Sequence, residues 1–572
     1  MASIDAVLYD QLLNNSIWGM ESETRQKMQT EFTVVYLFGG IGGGALGFNA
    51  SRGHYKGEVG QFRTLCSIDA DPVATRNYER ITNSPGKGVV MDLFSKKQYC
   101  DFHGVDEPPA DWREVQVRDL WEAMGEEVPN VVLSSPPCKG YSPLLSESNS
   151  QSKKYQALNH LTLRGIRLLL DACEHYGDDL PNIIALENVP RIKTRGKEIL
   201  KQIVDLLRAR GYAISGYDHD LGLTGGLGQI RKRYLLLARL ERKMSAFIFK
   251  PEQKRHLAIR DVLSKLPPPG DTANGGRLHR LPDLSFKTWV RLALIQQGGD
   301  WRDLNEVEWW NYRLERIDRV IGDKLVQPIS CPTYNLSNNG KANIMRVMKV
   351  DAPASCVTGS VGPTNGAACI AEPLRDGVSY RDVFHLVDSS QLANGQTVVP
   401  NEGLCAEFEN LALSCNPRTG TMGVLDSRKP AKTVVGNSDI HASASAVGDD
   451  WTLFDLCEAG ADFPLDDDRG IFVVIAPDGT WHRPMTVLEL AMIQSFDLIL
   501  ANGEVFDLVD CSDARAREYI GNAIPKLAAK QIGNVLLDAL MTSSVGEFTM
   551  GFEEIWVMPD DSDDRVYDVL MQ

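Results

Sequence analysis

The chain has no apolar run close to the length of about 20 residues that a membrane-spanning helix needs. Its first 32 residues are polar and mixed, without the order of a signal peptide. A membrane protein and a secreted precursor are set aside, and a cytoplasmic protein with no membrane partner is expected. Cysteine is sparse, 11 in 572 residues, and no two form a C-x-x-C pair. Without thiols at ligand spacing no zinc site and no other metal is expected. An odd count without framework spacing suits a reducing compartment. Positive charge is also short. The formal net charge of −16 argues against a general nucleic-acid binder. The deficit is uneven, however. Residues 251–349 carry an excess of positive charge, which phosphate contact needs. The tail from Glu547, with Asp560, Asp561, Asp563 and Asp564, reads as a solvated acidic end.

What is present is a large apolar fraction, 43%, enough to bury sizeable cores. Short apolar runs recur at Val34–Phe38, Leu65–Ile68, Gly88–Val90, Val131–Leu133, Ile183–Leu186 and Tyr234–Ala238. They are continuous rather than alternating, as strands covered on both faces are. Helical stretches lie between them; Leu158, Leu161, Gly165, Leu168 and Ala172 share one helix face. The alternation predicts an α/β fold with a Rossmann-like, doubly wound, mostly parallel sheet over about residues 30–245. Pro267-Pro268-Pro269-Gly270 then breaks the pattern, and residues 250–480 are rich in Gly, Asn, Ser and Pro. Within them PASCVTG at 353–359 echoes PAKTVVG at 430–436, a phrase too short for a solenoid. A second, smaller β-rich domain is expected there. Helices return at Thr486–Gln494 and Ile524–Ala539. The latter places Ile524, Leu527, Ala528, Ile532, Val535, Leu536 and Ala539 at helical spacing, ready to pack back on the first sheet.

Several motifs sit where strands end, the edge at which open α/β sheets bind ligands. Pro136-Pro137-Cys138-Lys139-Gly140-Tyr141-Ser142 follows Val131–Leu133, and two prolines fix φ at consecutive residues just before a single cysteine. Nucleophile and buried structural thiol are both open readings of Cys138 alone. Phe38-Gly39-Gly40-Ile41-Gly42-Gly43 ends the first strand and opens a helix, with Asp69 at the end of the second strand. Glycines there let a cofactor approach backbone, and the acid suits a ribose. An adenosine-containing cofactor is expected; NAD and S-adenosylmethionine are not separated by this motif. Asp92 either accepts the adenine amino proton or caps a helix. Glu187-Asn188-Val189 places a carboxylate at another strand end, a proton-handling arrangement beside a cysteine. Gln229-Ile230-Arg231-Lys232-Arg233 either binds an anion or a base edge, or is a charged strand start.

In this order the motifs resemble those of the DNA (cytosine-5) methyltransferase family, in its prokaryotic or phage form. Arg483-Pro484-Met485-Thr486 with Glu489 and Ile493-Gln494-Ser495-Phe496 is similar to the penultimate family motif, and Gly521-Asn522-Ala523-Ile524-Pro525 to the last. The resemblance spans residues 34–540. It implies that Cys138, on the turn with Pro137, attacks C6 of a flipped cytosine, with S-adenosylmethionine as methyl donor. Glu187 would act at N3, which asks for a protonated carboxyl, a form that burial favours. Arg233, with Arg231 beside it, would hold the base O2 or a phosphate, and Asn188 would brace the Pro-Pro-Cys turn. The cofactor would meet Phe38 (stacked on adenine), Gly39, Gly40, Ile41, Gly42, Gly43, Asp69, Ala70 and Asp92, with Asn522 and Ala523 closing the pocket.

The implied layout is an N-terminal extension (1–32), a catalytic domain (33–245, completed by 505–545), a target-recognition domain (246–504) and an acidic tail (546–572). Double-stranded DNA is the expected partner of a monomer, with a cognate restriction endonuclease as a further one and nucleoid association when bound. A cytosine-5 methyltransferase acting on tRNA, an NAD-dependent oxidoreductase and a catalytically silent DNA-binding relative are the alternatives. Four features depart from the family. Lys139 stands where glutamine is usual, and could lower the thiol pKa or touch DNA phosphate. Asn130 stands where an acid is common. Residues 142–159 form a Ser-rich loop with Lys153, Lys154 and Tyr155. Met492-Ile493 occupy a place where the penultimate motif usually has arginine.

Overall fold

The computed structural model describes residues 29–141, 152–305, 469–476 and 480–544, with strand segments at 346–348, 366–372, 385–388, 423–425 and 442–447. The expected N-terminal extension before Gln29, the repeated phrases at 353–359 and 430–436, and the acidic tail lie outside the described residues.

The first sheet contains β1 (Gln29–Leu37), β2 (Gly53–Tyr55), β3 (Glu58–Asp69), β4 (Gly88–Val90), β5 (Val131–Ser134), β6 (Ile183–Asn188), β7 (Tyr212–Asp220) and β8 (Lys232–Leu240). Its order is β2-β3-β1-β5-β6-β8-β7, with β4 also on β3. The neighbours β4, β3, β1, β5 and β6 run parallel, whereas β8 is antiparallel to β6 and to β7. The predicted α/β class and mostly parallel sheet are present. Two strands, β2 and β7, were not legible. Residues 212–220 form an edge strand whose second half is polar and solvent-facing, so no apolar run marks it. The reversal of β8 follows from chain length. Only residues 221–231 join β7 to β8, fewer than the dozen or more of a parallel crossover.

The continuous apolar runs arise because both faces are covered. Val35, Leu37, Val132, Ile184 and Leu186 point into one core. Val34, Tyr36, Val131, Leu133, Ile183 and Ala185 point into the other. Each fully buried side chain of this size contributes about 1.5–3 kcal/mol. Helices α1 (Gly43–Asn49), α2 (Pro72–Thr82), α3 (Lys96–His103), α4 (Val117–Ala123), α5 (Lys153–Gly177), α6 (Lys197–Arg208), α7 (Val487–Ile493), α8 (Asp513–Asn522) and α9 (Lys526–Ser544) cover the faces and the carboxyl edge. The predicted face of α5, with Leu158, Leu161, Gly165, Leu168 and Ala172, is buried. α9 returns to the first sheet as its spacing foretold: Ala528, Ala529, Ile532, Leu536 and Leu540 pack with Phe32, Val34 and Phe48.

The strand segments at 346–348, 423–425, 442–447, 366–372, Trp481–Pro484, 472–475 and 385–388 form a second, seven-stranded sheet in that order. Trp481–Pro484 leads from it into α7, so the penultimate motif joins this sheet to the first domain's edge. No helix among the described residues is long and apolar enough to cross a membrane.

Candidate active site

The carboxyl ends of β1, β3, β5 and β6 share one edge of the sheet. Because β8 is antiparallel, its beginning reaches that same edge. In register, Leu37 lies beside Ser134, Ser134 beside Leu186, and Asn188 beside Tyr234. The arginine motif precedes and opens its strand, as read from the sequence, and the reversal of β8 carries Arg233 to the cysteine and the glutamate.

Cys138 follows β5 across Ser135-Pro136-Pro137. Its carbonyl accepts a hydrogen bond from the Tyr141 amide at 3.0 Å, closing a single turn of 3₁₀ helix. Tyr141 beneath it is fully buried. The Glu187 and Arg233 side chains are each 8% exposed and meet as an ion pair, Nε to Oε1 at 2.9 Å. The contact is not aligned as a hydrogen bond, so Oε1 is buried with no hydrogen-bond partner. Asn188 Oδ1 accepts from the Val189 amide at 2.8 Å, and Nδ2 is buried without a partner. The expected brace from Asn188 to the Pro-Pro-Cys turn is not made; the side chain is taken up by its own backbone.

Burial pushes the Cys138 thiol above its ordinary pKa. Arg233 pulls it down, Glu187 raises it and Arg231 lowers it. Those three charges therefore act on the thiol together. Alkylation of Cys138 by iodoacetamide is expected to be slow at neutral pH and to climb with pH past the usual thiol range. Arg233→Met removes the favourable charge and unmasks Glu187, so it should move the climb to still higher pH. Peptide mapping of the alkylated protein against pH measures both, and a neutral-pH rate equal to that of an exposed thiol contradicts them.

The glycine loop divides its work. Gly43 lies under the last motif: a Cβ there would meet the Ile524 carbonyl at 2.4 Å. Gly40 has φ +54°, and a Cβ on it would have no atom within 4 Å. That open ground fits a cofactor laid over the backbone. Asp69 holds the loop from below, its Oδ2 accepting from the Gly40 amide at 2.9 Å and its Oδ1 from the Asp71 amide at 3.0 Å. Burial raises the Asp69 pKa, and those two amides offset part of the rise. Ala70 between them is exposed and Ile41 is buried. The Phe38 ring lies on helix α5, where a Cβ at Gly165 would come to 3.0 Å from its Cζ. Asp92 accepts from the Phe94 amide at 2.9 Å and from Trp112 Nε1 at 3.0 Å. Ser95, not Asp92, caps α3.

Other buried polar groups tie the motifs to one another. Gln229 donates to the Ile493 carbonyl at 3.0 Å and to Gln494 Oε1 at 2.8 Å, and Gln494 donates to the Ile520 carbonyl at 2.9 Å. Arg231, 1% exposed, donates to the carbonyls of Gly521 at 3.2 Å and Ala523 at 3.0 Å. Its guanidinium is buried against the last motif. That motif contributes backbone here, and the Asn522 residue is exposed.

The departures also find places. Lys139 Nζ pairs with Glu518 Oε1 at 2.7 Å. Asn130 sits at the opposite end of β5, its Oδ1 accepting from the Thr33 amide at 2.8 Å, so it latches two strands far from the chemistry. Lys153, Lys154 and Tyr155, read as loop, begin α5; residues 142–151 are outside the described residues. Asp71, Arg515, Glu518 and Tyr519 gather at the site without having been singled out. Asp71 before Pro72 was legible as a helix cap, which it is. The others lie on a polar helix with no local signal.

A family model described as C-5 cytosine-specific DNA methylase matches residues 32–288. No curated protein sequence matches the chain. Among solved structures, the Entamoeba histolytica methyltransferase EhMeth is 13% identical with a TM-score of 0.41, covering 90% of this chain and 99% of that one. A putative DNA modification methyltransferase encoded within an E. coli prophage is 14% identical with a TM-score of 0.40, covering 89% and 99%. The S. pombe Dnmt2 methyltransferase is 13% identical with a TM-score of 0.34, covering 90% and 98%.

Proposed function

We propose, from the premise that residues 32–288 are a domain of the C-5 cytosine-specific DNA methylase family, that this protein methylates C5 of a cytosine flipped from double-stranded DNA through a covalent Cys138–C6 intermediate. The observation that carries the reading is the convergence of Cys138, Glu187 and Arg233 at one sheet edge, beside the open backbone of Gly40.

S-adenosylmethionine, the family's methyl donor, supplies an electrophilic methyl on a sulfonium. Cytosine C5 is a weak nucleophile, and the chain's residues correct that. The Cys138 thiolate forms a bond to C6, and the C5–C6 π pair moves toward the N3 side of the ring. Glu187 meets that charge by a proton or hydrogen bond at N3. Arg233 fixes Glu187 and presents a guanidinium toward O2. With Cys138 attached, C5 is the nucleophilic end of an enamine. After methylation the C5 proton passes to water, its electron pair restores the double bond, and Cys138 leaves as thiolate. Phe38, Asp69 and Asp92 orient the donor's adenosine, with Gly40 as the floor.

Residues 246–504 read the DNA sequence in this proposal, supported by the basic excess over 251–349 and by the second sheet. Protein labelled with a tritiated methyl donor and offered duplex DNA or tRNA tests the substrate. Label on C5 of cytosine in duplex DNA is expected. Label on tRNA alone would move the substrate to RNA, and label on neither would overturn the reading.

A further inference from the structure

Lys139 is the part of the Pro-Pro-Cys-Lys turn that the chemistry leaves without a role. Its Nζ lies 2.7 Å from Glu518 Oε1, and Glu518 Oε2 accepts from Arg515 Nη1 at 2.8 Å. Arg515 Nη2 continues to Asp71 Oδ2, which also accepts the Tyr519 hydroxyl at 2.6 Å. The Arg515 guanidinium lies over the Tyr519 ring, 4.8 Å from its centroid. Asp71 is fixed in turn, capping α2 through the Val73 amide at 2.9 Å.

The route of this chain matters more than any one pair. Asp71 ends the Asp69-Ala70-Asp71 turn after β3, and Lys139 follows Cys138 after β5. In the sheet, β1 lies between β3 and β5. Helix α8 therefore spans the Phe38–Gly42 loop at the end of β1 and ties down both flanks. Its next residues, Ala523 and Ile524, rest on Gly43. One isolated exposed ion pair would do little. Here Glu518 is 17% and Asp71 22% exposed, and each carboxylate has two partners.

We infer that Asp71, Arg515, Glu518 and Lys139 form a brace across the mouth of the cofactor cleft, and that Lys139 is a positioning residue coupling donor binding to the placement of Cys138. The inference rests on the proposed methyl-transfer reading for what the cleft holds. A donor seated against the Asp69–Asp71 turn orders one end of the brace, and the Cys138 turn at the other end is ordered with it. By reciprocity, a tightened turn favours donor binding by the same factor.

The test uses the full chain with Lys139→Gln, Glu518→Gln, the double variant and Lys139→Arg. All are surface or conservative changes that the fold tolerates. Either Gln variant is expected to raise KM for S-adenosylmethionine on the order of fivefold. The double variant should be no worse than the worse single, and Lys139→Arg should restore most of the loss. In the wild type, S-adenosylmethionine should change the iodoacetamide rate at Cys138; in either Gln variant that response should shrink. Unchanged KM and unchanged alkylation response in Lys139→Gln overturn the brace. So does an effect confined to the salt dependence of DNA binding with Glu518→Gln silent, which makes Lys139 a phosphate contact. If the wild type labels no nucleic acid yet the alkylation response depends on Lys139, the methyl-transfer reading fails and the brace stands.

Discussion

Cys138→Ala is expected to abolish methyl transfer, by on the order of 10⁴-fold or more, while leaving S-adenosylmethionine binding in place. The separation follows from the architecture. Gly40, Asp69 and Asp92 are held by bonds from β3, from the Asp71 and Phe94 amides and from Trp112. None of those bonds passes through the thiol. The turn itself survives, because Pro136, Pro137 and the Tyr141 amide fix its backbone. Only the thiol is lost; on the same turn Lys139 is paired with Glu518 and Tyr141 is buried. Methyl-transfer assays alongside calorimetric titration of the donor separate the two quantities. A duplex carrying 5-fluorocytosine gives a second readout: the wild type should be trapped as a covalent adduct, since loss of the C5 proton is blocked, and the alanine variant should not. Retained methylation in the variant, or a wild type that forms no adduct, would sink the covalent mechanism.

Glu489→Gln is expected to cost about 3–5 kcal/mol of stability, because it strips one partner from a buried ion pair. Arg483 and Glu489 are each 1% exposed and joined by two bonds, at 2.8 and 2.9 Å. Glu489 Oε2 also accepts the Thr486 amide at 2.7 Å, and the Thr486 hydroxyl accepts from the Glu489 amide at 3.2 Å, which starts α7. His279 closes the cluster against that hydroxyl at 2.9 Å. Burial would raise the Glu489 pKa, but Arg483 and these bonds win, and it lies below the ordinary carboxyl value. A carboxyl depressed in the folded state contributes stability above its unfolded pKa and loses it as pH falls through the folded one. Denaturant unfolding near neutrality should show the full loss in the variant. The gap to wild type should close as the medium becomes acid. Replacing both partners by apolar residues of similar size should recover much of the stability. A Glu489→Gln variant as stable as wild type would mean that the pair is not load-sharing at all.

The two variants touch different levels of the same protein, and they mark how far its sequence can be read. The Pro-Pro-Cys turn, the glycine loop and Glu187-Asn188-Val189 announce themselves because each needs particular residue types at fixed short spacing. Apolar runs reveal β1, β3, β5 and β6 because buried strands must be apolar on both faces. Strand β7 escapes because an edge strand can be polar, and α8 escapes because its buried face of Ala516, Tyr519 and Ile520 is short and set among charged residues. Arg231 and Arg233 cannot be told apart by spacing: both are arginines on one short run. One ends on Gly521 and Ala523, the other on Glu187, and distant chain segments decide which.

By itself, then, the sequence determined the fold class and the strand ends that carry Cys138, Glu187 and the glycine loop, since these are local consequences of residue chemistry and periodicity; the roles of nucleophile and carboxylate come from the resemblance. The short 221–231 connection turns β8 back along β7, but tertiary structure alone decided that Arg233 meets Glu187 beside Cys138. It also decided that Gln229 bonds to Ile493 and Gln494, that Arg231 bonds to Gly521 and Ala523, and that Lys139 reaches Glu518. The physical reason is the same in each case. Ion pairs and motif contacts are fixed by how segments distant in the chain pack, 379 residues apart for Lys139 and Glu518, and no local pattern in the chain encodes them.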